Sequence, residues 1–241
     1  AFQNWLRQML ADELITTAKD RQPEDGVKNR MNIAFSAPGL QTLLAAGYLA
    51  DGYDHAFAAG ITSPQRNRIL GDVDANDPSK WDWGGRAPVH GVLMSFATTT
   101  DFAKERLLAA LWQENGADCT HTTFGHLEPD QREPFGFKDG VSQPVIAGTK
   151  RAEYLKRNNP KEAAVSIVPA GELLLGYKDG TGKLPRTPAT SAGLDPDGLL
   201  DPHPVWHDRR DLGKNGTYLV FRQLEQHTKA FWDYVDMTAT G

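Results

Sequence analysis

Two aspartates in this 241-residue chain sit in nearly the same setting: Asp139 in Gly136-Phe-Lys-Asp-Gly140 and Asp179 in Gly176-Tyr-Lys-Asp-Gly180. An Asp-Gly step is first of all a turn. Glycine takes positive φ at no steric cost, and the aspartate side chain bonds amides just downstream. A carboxylate is also a general acid–base where burial raises its proton affinity toward the working pH. The flanks separate the two segments. Asp139 is preceded by Glu133-Pro-Phe135 and Phe137 and followed by Val141-Ser142-Gln143-Pro-Val145, so aromatic and aliphatic residues surround it. Its two glycines would let the backbone approach a flat ligand closely. Asp179 runs into Gly180-Thr-Gly182-Lys-Leu-Pro185, which is turn chemistry throughout and reads as structural. From residues alone, Asp139 stays open between a turn and an acid–base.

Other chemistries find less support. Cys119 is the single cysteine, so neither an internal disulfide nor a cysteine zinc site is implied. Nothing beside it in sequence supplies a base and an orienting group for a nucleophile. His203 and His207 stand four apart, but Pro202 and Pro204 argue against the helix that a zinc pair would need. His90, at the start of an apolar strand, reads as a core or rim histidine. No dinucleotide fingerprint, phosphate-binding loop or serine elbow is present. The formal charge of −5 gives no basic excess for nucleic acid or an acidic membrane. The densest basic cluster, Lys150 to Lys161, is interleaved with Glu153 and Glu162 and reads as a solvated face. No apolar run reaches the ~20 residues that span a bilayer.

The elements that must position these residues are short. Phe2, Trp5, Leu6, Met9 and Leu10 form one stripe of an opening amphipathic helix. That abrupt start predicts further residues upstream. Met31–Phe35 and Val89–Ala97 read as strands, the second as the most buried. Residues 51–88 form a long irregular stretch with a Trp81-Asp-Trp83-Gly-Gly turn, and 101–116 read as a helix. Residues 120–127 are a strand candidate, 150–166 begin helical, and Gly171–Tyr177 read as a strand or buried turn. A proline-rich loop then leads to a strand over 216–224 and a helix from 225. The opening AFQNWL and the closing AFWDYV hint at a repeated unit. This order suits an α+β fold with helices on one face of an antiparallel sheet.

Gly136-Phe-Lys-Asp-Gly-Val-Ser-Gln-Pro144 resembles the Gly-x-x-Asp-Gly motif of the dye-decolorizing peroxidases. Residues 29–43, 77–85, 89–97, 171–177 and 215–226 look like that family too, in its order. The resemblance covers nearly the whole chain and is closest to the larger, insert-bearing members. It implies a duplicated ferredoxin-like fold: residues 1–165 would be a first domain lacking its opening strand, and 166–241 the connecting loops and start of an incomplete second. It also implies haem b as cofactor, with Asp139 on the distal face taking a proton from hydrogen peroxide and delivering it to the leaving oxygen. Phe137, Gly140, Val141, Ser142 and Gln143 would line that face, and dyes, phenols or similar small aromatic reductants would supply electrons. The family's iron-ligating histidine and distal arginine lie beyond residue 241, and His227 does not match the ligand position. A complementary C-terminal polypeptide is therefore expected. The alternatives are a relative that binds haem or another flat ligand without turnover, and an assembly subunit in which Asp139 only caps a turn.

Overall fold

The computed structural model describes residues 2–16, 29–44, 52–97, 119–123, 125, 130, 132–138, 140 and 142–239. The fold is α+β, and the chain divides into two units. The first comprises Ala1–Thr122 and Arg186–Leu212, the second Thr123–Pro185 and Gly213–Gly241.

In the first unit, helix α1 (Phe2–Ala11) covers an antiparallel ribbon of β1 (Asn29–Phe35) and β2 (Gly91–Ala97). Ile33 pairs with Leu93 and Met31 with Ser95. Period-two alternation puts Met31, Ile33 and Leu93 on the face packed against Trp5 and Met9, both fully buried. Leu10 falls off the stripe and is 58% exposed, because it stands one helical step beyond Met9. The Thr16 amide donates to the Met31 carbonyl and its hydroxyl accepts from the Met31 amide, tying the chain after α1 to β1. β2 is less buried than its apolar sequence suggests, with Val92–Met94 half-buried and Ser95 exposed. Among the described residues it belongs to a two-stranded sheet, which buries less than a central strand would. His90 is exposed at its start.

Helix α2 (Ala37–Leu44) follows β1, and Gly39 lies so close to the His90 carbonyl that a Cβ would meet its oxygen at 1.7 Å. The irregular stretch holds α3 (His55–Ala59), capped by Asp54, and α4 (Pro64–Leu70), stopped by Gly71 in the left-handed region. The Trp81 indole donates to the Asn76 carbonyl at 2.8 Å, and Arg86 Nε donates to the Ser79 carbonyl at 2.7 Å. Those bonds order a stretch with little periodicity.

The second unit is built around Val145, Ala152, Leu155 and Ala163, with Ile167 packed against them. Strand β3 (Val145–Ile146) pairs in parallel with β4 (Ile167–Val168) across α5 (Lys150–Asn158) and α6 (Pro160–Ser166). Thr149 caps α5 and Asn159 caps α6. Back in the first unit, β5 (Ala189–Ser191) and β6 (Arg209–Asp211) form an antiparallel ribbon. Helix α7 (Thr228–Ala239) ends the described chain and has no buried residue.

Three expected strands take other forms. Residues 121–123 are irregular, and the rest of that candidate lies largely outside the described residues. Gly171–Tyr177 is a tight 3-10 turn and bends, with the Gly171 amide bonded to the Lys178 carbonyl. The 216–224 segment is irregular, and Leu219, Val220 and Leu224 are 46%, 78% and 69% exposed. A strand exists only by pairing, and no ladder partner for this segment lies among the described residues. The helix expected over 101–116 lies outside the described residues.

Candidate functional site

The Gly136–Gly140 segment is the far arm of a miniature hairpin in the second unit. Arg132 and Lys138 form its antiparallel bridge. The Glu133 amide donates to the Phe137 carbonyl at 2.9 Å, and the Gly136 amide donates to the Glu133 carbonyl at 2.8 Å. The Glu133 carboxylate turns back into the loop. Its Oε2 accepts the Phe135 amide and its Oε1 the Phe137 amide, both at 2.9 Å. Arg132 Nη1 donates to the Gly136 carbonyl at 2.6 Å while its Nε pairs with Asp130 at 3.0 Å. Gly136 adopts φ +92 at the tip, a conformation that favours glycine.

Phe135 and Phe137, two apart, present their rings to α7. Phe231 meets Phe135 edge-on at 5.0 Å and Phe137 at 6.1 Å; Trp232 stacks on Phe137 at 6.0 Å. These are favourable aromatic geometries. Phe137 remains 54% exposed and Trp232 43% exposed. Gly140 has φ +72, and among the described residues nothing stands within 4 Å of a Cβ placed on Gly136 or Gly140. An exposed phenylalanine ring beside two glycines is the observation of this structure bearing on a haem site.

Of the residues singled out from sequence, Phe137 is brought into this aromatic cluster. Gly140, Ser142 and Gln143 are exposed along the chain leading to β3. Asp139 and Val141 lie outside the described residues. Sequence reasoning missed Glu133, Phe231 and Trp232. The signal for Glu133 was its spacing, two and four residues before the phenylalanines. The sequence marks Phe231 and Trp232 only as the start of a helix.

Gly176–Gly180 lies in the same unit and is organised from within. Asp179 Oδ1 accepts from the Thr181 amide and hydroxyl, each at 2.8 Å, and from the Lys183 amide at 3.0 Å. The Thr181 hydroxyl bond is the largest cause holding the Asp179 carboxyl below its ordinary value; the amides of Lys183 and Thr181 and the Lys183 charge add to it, against a cost from burial. The Gly180 amide donates to Glu172 Oε1 at 2.7 Å, and the Tyr177 hydroxyl to Asn215 Oδ1 at 2.6 Å. The aspartate closes its own turn, as its sequence suggested, and Glu172 and Asn215 anchor the segment from outside.

The histidines have other engagements. His203 is buried in the first unit, and its Nδ1 accepts the amides of Val205 and Trp206 at 3.1 Å. That leaves the proton on Nε2, which donates to the Thr187 carbonyl at 3.0 Å. Both ring nitrogens are committed to the loop. His227 is exposed beside Glu225, and its carbonyl accepts the Phe231 amide at the entry to α7. Among the described residues no group of three or more His, Cys, Asp or Glu converges as a metal site. No described helix is long and apolar enough to cross a membrane.

No protein-family model matches the chain. Curated proteins do. The dye-decolorizing peroxidase msp1 of Mycetinis scorodonius is 31% identical over 209 residues, covering 83% of this chain and 33% of the relative. The dye-decolorizing peroxidase of Mycena epipterygia is 32% identical over 227 residues, covering 91% of this chain and 34% of the relative. The chain thus spans about a third of the length of the curated relatives it matches. Among solved structures, an ancestral D-type dye-decolorizing peroxidase aligns with a TM-score of 0.54 at 26% identity, over 77% of this chain and 40% of that one. An aspartate-to-asparagine variant of a dye-decolorizing peroxidase in complex with cyanide aligns at 0.51 and 24% identity, over 76% and 39%, a likeness in fold. The motif, the order of the flanking segments, the α+β fold and these relatives agree: the chain's homologues are dye-decolorizing peroxidases, and they support its assignment to that family.

Proposed function

We propose that this chain supplies the distal-side segment of a haem-dependent peroxidase that uses hydrogen peroxide to oxidise dyes, phenols or similar small aromatic reductants in one-electron steps. The observation that carries the reading is the Gly136–Gly140 hairpin arm, with an exposed aromatic ring beside two glycines, in a chain whose homologues are dye-decolorizing peroxidases. Phe137, Gly140, Val141, Ser142 and Gln143 line the face that haem b would meet. Bound haem supplies the redox chemistry. The chain's own contribution is a proton carrier: the Asp139 carboxylate accepts a proton from peroxide and returns it to the departing oxygen as water forms. Phe137 and the aromatic residues behind it exclude water from that face.

The iron ligand and the cation that would stabilise charge on the departing oxygen come, in this reading, from a complementary C-terminal polypeptide of the same fold. A carboxylate cannot replace a preorganised cation there. Leu219, Val220, Leu224, Trp232, Tyr234 and Met237 are each exposed, and large apolar side chains left in water leave room for such a complement. In this arrangement 1–165 is the first ferredoxin-like domain and 166–241 begins the second.

The test is an absorbance spectrum from 350 to 700 nm, recorded with intact mass, on the chain given hemin with and without the complementary polypeptide. A Soret band and peroxide-dependent dye oxidation that need the complement are expected. A Soret band without turnover in the complete assembly would replace catalysis by ligand binding. No Soret band in either sample would leave a subunit without haem.

A further inference from the structure

We infer that Glu133 is the positioning residue of the Gly136–Gly140 arm. Among the described residues the hairpin shows one bridge, Arg132 to Lys138, and a ribbon of that length is marginal on its own. The aromatic packing on Phe231 holds only one side of it, since Phe137 is 54% exposed. Four hydrogen bonds instead converge on Glu133. Its amide and carbonyl bond Phe137 and Gly136 at 2.9 and 2.8 Å, and its two carboxylate oxygens each take one amide, of Phe135 and of Phe137, at 2.9 Å. Bonds from amides to an ionised carboxylate are shorter and stronger than neutral ones. The clamp fixes the backbone on both sides of the tip, turns the Phe135 and Phe137 rings together toward Phe231, and sets the direction in which the chain leaves Phe137. Lys138 and Asp139 follow immediately in sequence. The carboxylate needs both oxygens. Glutamine keeps the length but offers one acceptor and aims an amino group at an N–H donor. Aspartate is one methylene short of reaching both amides.

The inference rests on the peroxidase reading for its catalytic consequence only. Residue-resolved amide exchange on the full chain, without haem, tests the clamp itself. Glu133→Gln is expected to raise exchange about tenfold at Phe135 or Phe137, and Glu133→Ala at both, with the amides of α5 and α6 unchanged. Unchanged exchange at both phenylalanines overturns the clamp, and so does an equal rise across the whole unit. In the haem-loaded assembly, Glu133→Gln is expected to slow the reaction with peroxide about tenfold, with KM for the reductant unmoved and Glu133→Asp recovering only part of the rate. A wild-type peroxide rate in a Glu133→Gln protein whose amides have loosened overturns the positioning role. Absence of haem uptake by the wild-type assembly defeats the peroxidase reading, while the exchange result still decides the clamp.

Discussion

Gly136–Gly140 and Gly176–Gly180 differ in one residue of five, yet the described bonds that hold them differ. In the second segment the aspartate closes its own turn on Thr181 and Lys183, the tyrosine hydroxyl reaches Asn215, and the last glycine amide is taken by Glu172. In the first, order comes from Glu133, a residue before the motif, and the aromatic ring faces outward onto Phe231 and Trp232. Phenylalanine in place of tyrosine removes the hydroxyl that would have needed a partner, so the ring can serve an apolar face. A turn that satisfies itself is a connection. A turn held from behind, with apolar surface in front, is a platform.

The sharpest way to break that contrast is to change each aspartate in the haem-loaded assembly. Asp139→Asn should slow the reaction with peroxide about 10²- to 10⁴-fold and leave the Soret band in place, the range for losing a positioned proton carrier. Asp179→Asn should leave both unchanged. Stopped-flow absorbance of the two variants side by side decides it, and equal rates would erase the functional difference between the segments.

The next effect is on the support of the platform. Phe231→Ala removes the ring that both Phe135 and Phe137 touch. For a half-buried aromatic the loss is about 2 kcal/mol of local stability. Amide exchange should rise in 132–138 and at the start of α7 and stay level in 176–183. Loosening in both regions would mean that the two segments share one support.

The contrast was partly legible in the residues. Proline and glycine after Asp179 announced a closed turn, and the phenylalanines before Asp139 announced an aromatic cluster, because turn chemistry and side-chain polarity are local properties. The α1 stripe with Trp5 and Met9, and the pairing partners in β1 and β2, were legible for the same reason: period and apolar content are written along the chain. The bonds of Glu133 and the arrival of Phe231 beside Phe137 were not. The first depends on a side chain folding back across four residues, the second on packing between residues 94 positions apart, counting from 137 to 231. The 216–224 segment has the Tyr-Leu-Val-Phe composition of a strand and forms no ladder among the described residues, since composition sets only a preference.

Tyr177→Phe makes the second segment identical in sequence to the first and tests whether the hydroxyl bond to Asn215 matters to it. The bond is 2.6 Å long, and its loss should cost about 1 kcal/mol, read as a lower denaturation midpoint with an unchanged slope. Peroxide reactivity should not move. A gain of reactivity dependent on Asp179 would show that the ring, rather than the flanks, makes the site.

The smallest effect separates the turns by pH. The Asp179 carboxyl is held below its ordinary value chiefly by the Thr181 hydroxyl, with the Lys183 and Thr181 amides adding to it. A lowered carboxyl value means that the folded turn prefers the ionised form. Its contribution is fully present above the ordinary aspartate range and is lost as pH falls through the lowered value. The Thr181 and Lys183 amide resonances should therefore stay constant from neutral pH down through that range and shift together only below it. In Asp179→Asn both should be flat with pH. A transition centred at or above the ordinary aspartate value would mean that Thr181 and the two amides do not favour the ionised carboxylate, and the second segment would lose the internal closure that distinguishes it from the first.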